Sequence, residues 1–289
     1  MPIAYPDILS LKSEPSAIAW TDRDAMLYAL GIGLGTDPTD PRELAFVYED
    51  GLKVVPTLAT VLAWDQPLRP ALGMDMPYVV HGAHKVVWNR PLPPAGAGWT
   101  RSKVVAVYEK GPDKGALVET ETELHEGDHA EAAAVVTMTR FGRRDGGCGA
   151  PSGGGPAPHA VPDRTADVSL DIATRPDQAL LYRLNGDRNP LHADPAAAAR
   201  AGFPRPILHG LCTFGIVCRA VLRVYADHDP ARLLSQEGRF SAPVFPGETL
   251  SIDLWRDGAI VSYEVRVAER GIKAMTGGRI ALREPPGSA

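Results

Sequence analysis

The apolar positions of the chain fall into two comparable series, in each of which helical segments are followed by a run of strand-like ones. In the first series, TDRDAMLYALGIG sets Ala25, Leu27, Tyr28 and Leu30 on helical spacing, with Thr21 and Asp22 as cap candidates and Gly31 and Gly33 as stops. Core packing is the plainer account of Tyr28 and Leu30, a pocket wall the sharper one. Residues 58–63, after Pro56, form a short apolar segment that reads as part of a central helix or its lead-in. The pattern then changes to strands at 77–88, 100–108, 116–125 and 129–141, all rich in Val, Thr and aromatics. GPDKG and HEGDH supply turns between the later ones.

The second series repeats this order. ADVSLDI reads as a leading strand and RPDQALLYRLNGD as a helix. Asp194-Pro195 reads as a cap followed by a first helical residue, with AAAARA behind it and Gly202 as the stop. LCTFGIVCRAVLRVYA is apolar on nearly every side, which predicts a buried helix. Strands follow at 237–242, 248–256, 259–269 and 272–282. Two local echoes link the series: His81-Gly82 resembles His209-Gly210, and RPLPPAG resembles APVFPGE. Between them lies GRRDGGCGAPSGGGPAPHAVPDR, a Gly/Pro-rich linker with little to bury. It is expected to be disordered or a mobile loop, dispensable over 146–155. No P-loop Lys or strand-to-helix pattern makes it a phosphate cradle. The expected organisation is therefore 1–141, linker 142–164, and 165–289.

Composition narrows the function classes. At 289 residues, with 44% hydrophobic and 22% charged residues, the chain has room for one large domain or two ordinary ones. A net charge of −5 argues against a nucleic-acid partner. Three cysteines, Cys148, Cys212 and Cys218, form neither a CxxC pair nor an even disulfide framework and suggest a reducing compartment. MPIAYPDILSLKSEP lacks the look of a signal peptide, and PPGSA is not a peroxisomal tripeptide. No stretch is long and apolar enough to span a membrane. A cytoplasmic protein without a membrane partner is the expectation.

The chemistry concentrates in NGDRNPLH, Asn185 to His192, followed by LHG at Leu208 to Gly210. Pro190 fixes its own φ and pushes Asn189 out of helical geometry. Asp187 and His192 should therefore converge from the two sides of a turn rather than share a helix face. Turn chemistry alone also accounts for Asp187 and Asn189, and His192 could simply satisfy a nearby carbonyl. His81 and His84 have the HxxH look of a metal site, but no further ligands stand nearby, so no metal is expected. Cys212 and Cys218 suit packing in the buried helix.

The string NGDRNPLHADPAAAARAGFPRPILHGLCTFG resembles the R-specific enoyl-CoA hydratases, also called hydratase 2 or MaoC-like dehydratases. YALGIG, ELAFVYE and VVPTLATVL resemble the amino-terminal half of the two-domain members, and RFSAPVFPGETLSIDLW their late strands. Apart from the linker, the likeness spans nearly the full length. It implies an α+β double hot-dog: two repeats, each a buried helix wrapped by an antiparallel sheet. It implies hydration of a 2-enoyl-CoA by Asp187 and His192 around one water, with Asn189 orienting and the Gly210 N–H on the thioester oxygen. Either member of the pair could be base or acid. Substrate contacts are implied at His81, Gly82, Lys110, Phe240 and through Asn185, Gly186, Arg188, Pro190 and Leu191 of the motif. Lys110 suits a CoA phosphate or a solvated turn, and Phe240 suits the acyl group or the core. CoA enters as part of the substrate, so no separate cofactor is expected, and the assembly implied is a homodimer. A hot-dog thioesterase and a non-catalytic acyl-CoA or acyl-carrier binding module are the alternatives. Only the second half carries a dyad, which leaves the first free to open an acyl channel. Tyr28 to Leu34 and Leu58 to Leu62 are the expected walls.

Overall fold

A computed structural model describes residues 3–64, 68–153 and 155–284. Among these residues, ten antiparallel strands make one continuous sheet. The first five are β1 (Ser16–Trp20), β2 (Val79–Trp88), β3 (Gly96–Gly111), β4 (Gly115–Glu126) and β5 (Ala134–Gly142). The other five are β6 (Val168–Ala173), β7 (Leu233–Phe240), β8 (Thr249–Asp257), β9 (Ile260–Val267) and β10 (Ile272–Leu282). Their order is β1-β3-β4-β5-β2-β7-β10-β9-β8-β6. Outward from the β2/β7 seam the two sides run in the same sequence, so the halves are related as repeats. The seam pairs Lys85 with Glu237 and Val86 with Gln236. This is the double hot-dog architecture.

Alternation explains the strands. In β5, Ala134, Val136, Met138 and Arg140 face inward while their neighbours do not. The helices are α1 (Asp22–Gly31), α2 (Pro41–Leu44), α3 (Leu58–Leu62), α4 (Gln178–Tyr182), α5 (Pro195–Arg200) and α6 (Gly210–Tyr225). α1 starts on a capping box between Thr21 and Asp24. α5 starts at Pro195 with Asp194 Oδ1 accepting the Ala196 N–H, as the sequence predicts. α6 buries eleven of its sixteen residues inside the second half of the sheet. Its counterpart α3 has only five residues, so the first repeat holds much less helix within its sheet. Among the described residues no helix is long and apolar enough to cross a membrane.

Two sequence expectations need correction. Strand β1 was not anticipated: SAIAW is a five-residue edge strand whose Ser and Ala have weak strand preference. The linker is not a free loop. Glu109 accepts N–H bonds from Gly147 (2.8 Å) and Gly149 (3.0 Å) and donates its own to Pro151 (3.0 Å). Further on, His159 bonds Ser262 Oγ, and Trp255 Nε1 donates to the Arg164 carbonyl. Composition counts side chains that can be buried, whereas these ties run largely through the linker's backbone. Excision of 146–155 would therefore remove backbone contacts to Glu109 of β3.

The halves are also joined through an ion pair. Glu43 of α2 meets Arg219 of α6 at 2.7 Å, with side chains 6% and 11% exposed, and also accepts the Gly35 N–H at 3.0 Å. Removing one member strands a buried charge. Glu43→Ala should lower the unfolding free energy in urea by about 3–5 kcal/mol; a loss within about 0.5 kcal/mol, the range of ordinary surface substitutions, contradicts this role.

Candidate active site

The motif folds as a ladder of side-chain caps. Gly186 takes a positive φ of 126° and turns the chain out of the α4 region. Asp187 Oδ1 accepts the Asn189 N–H at 3.1 Å, and Asn189 Oδ1 accepts the Leu191 N–H at 3.1 Å. Asn189 is extended (φ −53°, ψ 124°), as its position before Pro190 requires. A single 3-10 turn, Pro190–His192, then brings the imidazole back over the carboxylate. His192 Nε2 stands 3.9 Å from Asp187 Oδ2.

The tautomer of His192 follows from its other nitrogen. Nδ1 lies 2.8 Å from the Ile207 carbonyl, which can only accept, so Nδ1 carries the proton and Nε2 presents a lone pair. Nε2 and the carboxylate are then two acceptors facing each other. A water that donates to both, at about 2.8 Å each, spans the 3.9 Å gap with an angle of about 90° at its oxygen. Burial lowers the His192 pKa, opposed by the Ile207 bond and by the Asp187 charge. Imidazole is thereby kept neutral at pH 7.

One cavity of about 390 Å³ joins the two repeats at this point. The first repeat contributes Val61, Trp64, His81, Met138 and Arg140; the second contributes Tyr182, Asp187, His192, Gly210 and Phe240. Gly210 is the first residue of α6, so its N–H is one of the donors without an intrahelical acceptor. A Cβ at Gly210 would stand 3.0 Å from the Phe240 ring, and glycine is what lets that ring lie against the helix start.

The other expected contacts divide. Asn185, Gly186, Asn189, Leu191, His81 and Phe240 line the cavity; Gly82, Lys110, Arg188 and Pro190 do not. Gly82 is the extra residue of a bulge in the β2–β5 pairing. Lys110 is exposed at the end of β3, its Nζ 5.0 Å from the centre of the Phe141 ring. The echo between His81-Gly82 and His209-Gly210 is not structural, because the former lies within a strand and the latter starts a helix. RPLPPAG and APVFPGE do correspond, each following the seam strand of its repeat.

The expected channel walls are also revised. Tyr28, Ile32 and Leu34 are buried core, and of Leu58 to Leu62 only Val61 reaches the cavity. Gly33 has a φ of 88°, and a Cβ there would meet Arg219 at 2.9 Å, so it is a packing position. Sequence reasoning missed Trp64, Arg140, Arg143 and Tyr182 on the wall and gave His209 no role. Only His209 carried a usable signal, as the residue immediately before the predicted helix start.

Asp187, His192 and His209 place donor atoms within 4.8 Å of one another. The two rings are stacked, 3.6 Å between centroids and 23° between planes. The ring planes are nearly parallel, and each ring commits one nitrogen to a carbonyl. The arrangement suits hydrogen bonding to water better than coordination. Burial pushes the Cys218 thiol up to about 12 and raises that of Cys212 as well, so neither is a thiolate nucleophile at neutral pH.

Comparison with known proteins follows the same division. Residues 19–144 match the MFE-2 hydratase 2 N-terminal domain, and residues 158–277 match the MaoC like domain. The enoyl-CoA hydratase ChsH3 of Mycobacterium tuberculosis is 39% identical, over 89% of this chain and 91% of its own. The peroxisomal enoyl-CoA hydratase 2 of Arabidopsis thaliana is 36% identical, over 96% and 94%. The crystal structure of a MaoC-like dehydratase from Phytophthora capsici superposes with a TM-score of 0.85 at 31% identity, covering 98% of each chain.

The buried histidines make stability depend on pH. Burial lowers both His84 and His209 to about 3. Their folded pKa lies below the unfolded value of about 6.5, so the unfolded chain takes protons first. The stability they confer is complete above pH 6.5 and is lost as pH falls toward 3. Urea melts at pH 7.5 and pH 5.5 should differ by at least about 3 kcal/mol, the contribution of these two alone. Equal stabilities contradict the neutral buried state.

Proposed function

The chain belongs to the MaoC-like dehydratases that carry an MFE-2 hydratase 2 N-terminal domain, and on that basis we propose that it reversibly hydrates trans-2-enoyl-CoA to (3R)-3-hydroxyacyl-CoA. The class of reaction is that of a hydro-lyase. The observation that carries the reading is the pair of facing acceptors, His192 Nε2 and Asp187 Oδ2, with room for one water that donates to both.

In this reading the water oxygen attacks C3 of the enoyl group while one of its protons passes to the pair. The π electrons move toward the thioester oxygen, where enolate charge develops. The Gly210 N–H, with the α6 dipole behind it, stabilises that charge. The pair then returns the proton to C2, and the C–S bond stays intact. One water supplies both the hydroxyl and the proton, so atoms and charge balance. Asn189 holds the geometry through its N–H on Asp187 and its side-chain cap on Leu191. Phe240 and His81, with ring centroids 4.6 Å apart, form an aromatic wall beside Gly210. Lys110, outside the cavity, is assigned to the CoA phosphates. The handedness of the product rests on family membership.

Loss of enoyl absorbance without release of free thiol, with the R product on chiral analysis, is the expected result. Thiol release identifies a thioesterase, and tight binding without turnover identifies a binding module. Asp187→Asn and His192→Gln should each reduce kcat by about 10²–10⁴ with little change in KM, because both act on the transition state; near-normal turnover in either folded variant removes the pair from the mechanism. Sedimentation velocity should show the homodimer, and a monomer at working concentration contradicts it. Val61 is assigned to the acyl wall, so Val61→Phe should impair long enoyl chains at least tenfold more than crotonyl-CoA, a discrimination of about 1.4 kcal/mol. Equal losses across chain lengths remove Val61 from that wall.

A further inference from the structure

His209 contacts both members of the pair and adjoins Gly210. It is the N-cap of α6 and immediately precedes Gly210. Its ring lies against that of His192, with centroids 3.6 Å apart. Its Nε2 is 3.1 Å from the backbone carbonyl of Asp187, which again can only accept, so Nε2 carries the proton. Its Nδ1 is buried and has no hydrogen-bond partner among the described residues, and the residue is 2% exposed. Tyr182 closes over another side of the ring at 4.9 Å.

We propose that His209 is a positioning residue that locks the Asp187 turn, the His192 ring and the Gly210 donor into one rigid unit. The proposal rests on the hydratase reading above. Two restraints fix each member of the pair. For His192 they are the Ile207 carbonyl at Nδ1 and the His209 face; for Asp187 they are the Asn189 N–H at Oδ1 and the His209 N–H at the carbonyl. His209 is common to both and is covalently joined to Gly210. The separation between the acid/base pair and the oxyanion donor is therefore set through one side chain. A misplacement of about 1 Å in such a constellation costs about 10²-fold in rate. The stacked ring also covers one face of His192 and helps to exclude water from it.

Three variants separate the two contacts. His209→Gln keeps an N–H donor and loses the ring face, His209→Phe keeps the face and loses the donor, and His209→Ala loses both. The expected order of kcat is unaltered enzyme, then Gln and Phe each about tenfold lower, then Ala about 10²-fold lower, with KM within about threefold throughout. The acid limb of kcat/KM supplies a readout that a purely structural role would not move. His192 is faced by Asp187, by the neutral His209 ring and, at longer range, by Arg183. Opening its covered face to water should raise its pKa toward the ordinary imidazole value, by about half a unit or more in His209→Ala. Histidine-ring NMR of the unliganded protein should show the same rise. If the unaltered protein turns over no enoyl-CoA, the hydratase reading fails, whereas the NMR shift still reports on His209. Lower thermal stability with unchanged kcat, acid limb and His192 titration overturns the proposal. His209→Phe and His209→Gln keep that outcome accessible should His209→Ala not fold.

Discussion

The site depends on one hydrogen bond, from His192 Nδ1 to the Ile207 carbonyl at 2.8 Å. Because the carbonyl has no proton to give, the bond decides which imidazole nitrogen is basic. The lone pair on Nε2 then faces a carboxylate 3.9 Å away, and two acceptors at that distance need a shared donor. A water molecule would meet the need, and in the proposed reaction it is also the reactant. The bond in turn depends on the Pro190–His192 turn being placed beside the segment before α6, which the capping ladder of Asp187, Asn189 and Asp194 arranges.

The two repeats share an architecture and divide the labour. The second wraps a long buried helix whose N-terminus supplies a donor at Gly210. The first has only five helical residues in the corresponding place and contributes Val61 and Trp64 to the cavity wall. α1 packs beside α4 and the short turn that leads into the dyad loop. Glu43 ties α2 to α6 by the ion pair with Arg219. The first half thus both shapes the cavity and braces the elements that carry Asp187, His192 and Gly210.

Much of this was readable in the sequence because it is local. Asp194-Pro195 announces a helix start through backbone chemistry that involves only its neighbours, and the apolar run after Gly210 fits only a buried helix. The resemblance carried by NGDRNPLH supplied the pairing of Asp187 with His192. What could not be read arises from contacts distant in sequence. The stacking of His209 on His192 needs two segments to meet, and the linker is held by Glu109, some forty residues earlier. The echo of His81-Gly82 with His209-Gly210 misled because a dipeptide does not encode whether it lies in a strand or at a helix start. Tyr28 to Leu34 suited a channel and a core equally by composition, and the burial of Tyr28 and Ile32 decides for the core.

The central claim is that a single water, held between Asp187 and His192, supplies both the hydroxyl at C3 and the proton at C2. Both groups lie on the same side of the bound alkene in that case. Hydration of a trans-2-enoyl-CoA in deuterium oxide, followed by assignment of the C2 stereocentre by NMR, tests this directly. The account predicts one deuterium at C2, added to the same face as the hydroxyl. Anti addition, or deuterium scrambled over both C2 positions at the first turnover, contradicts it.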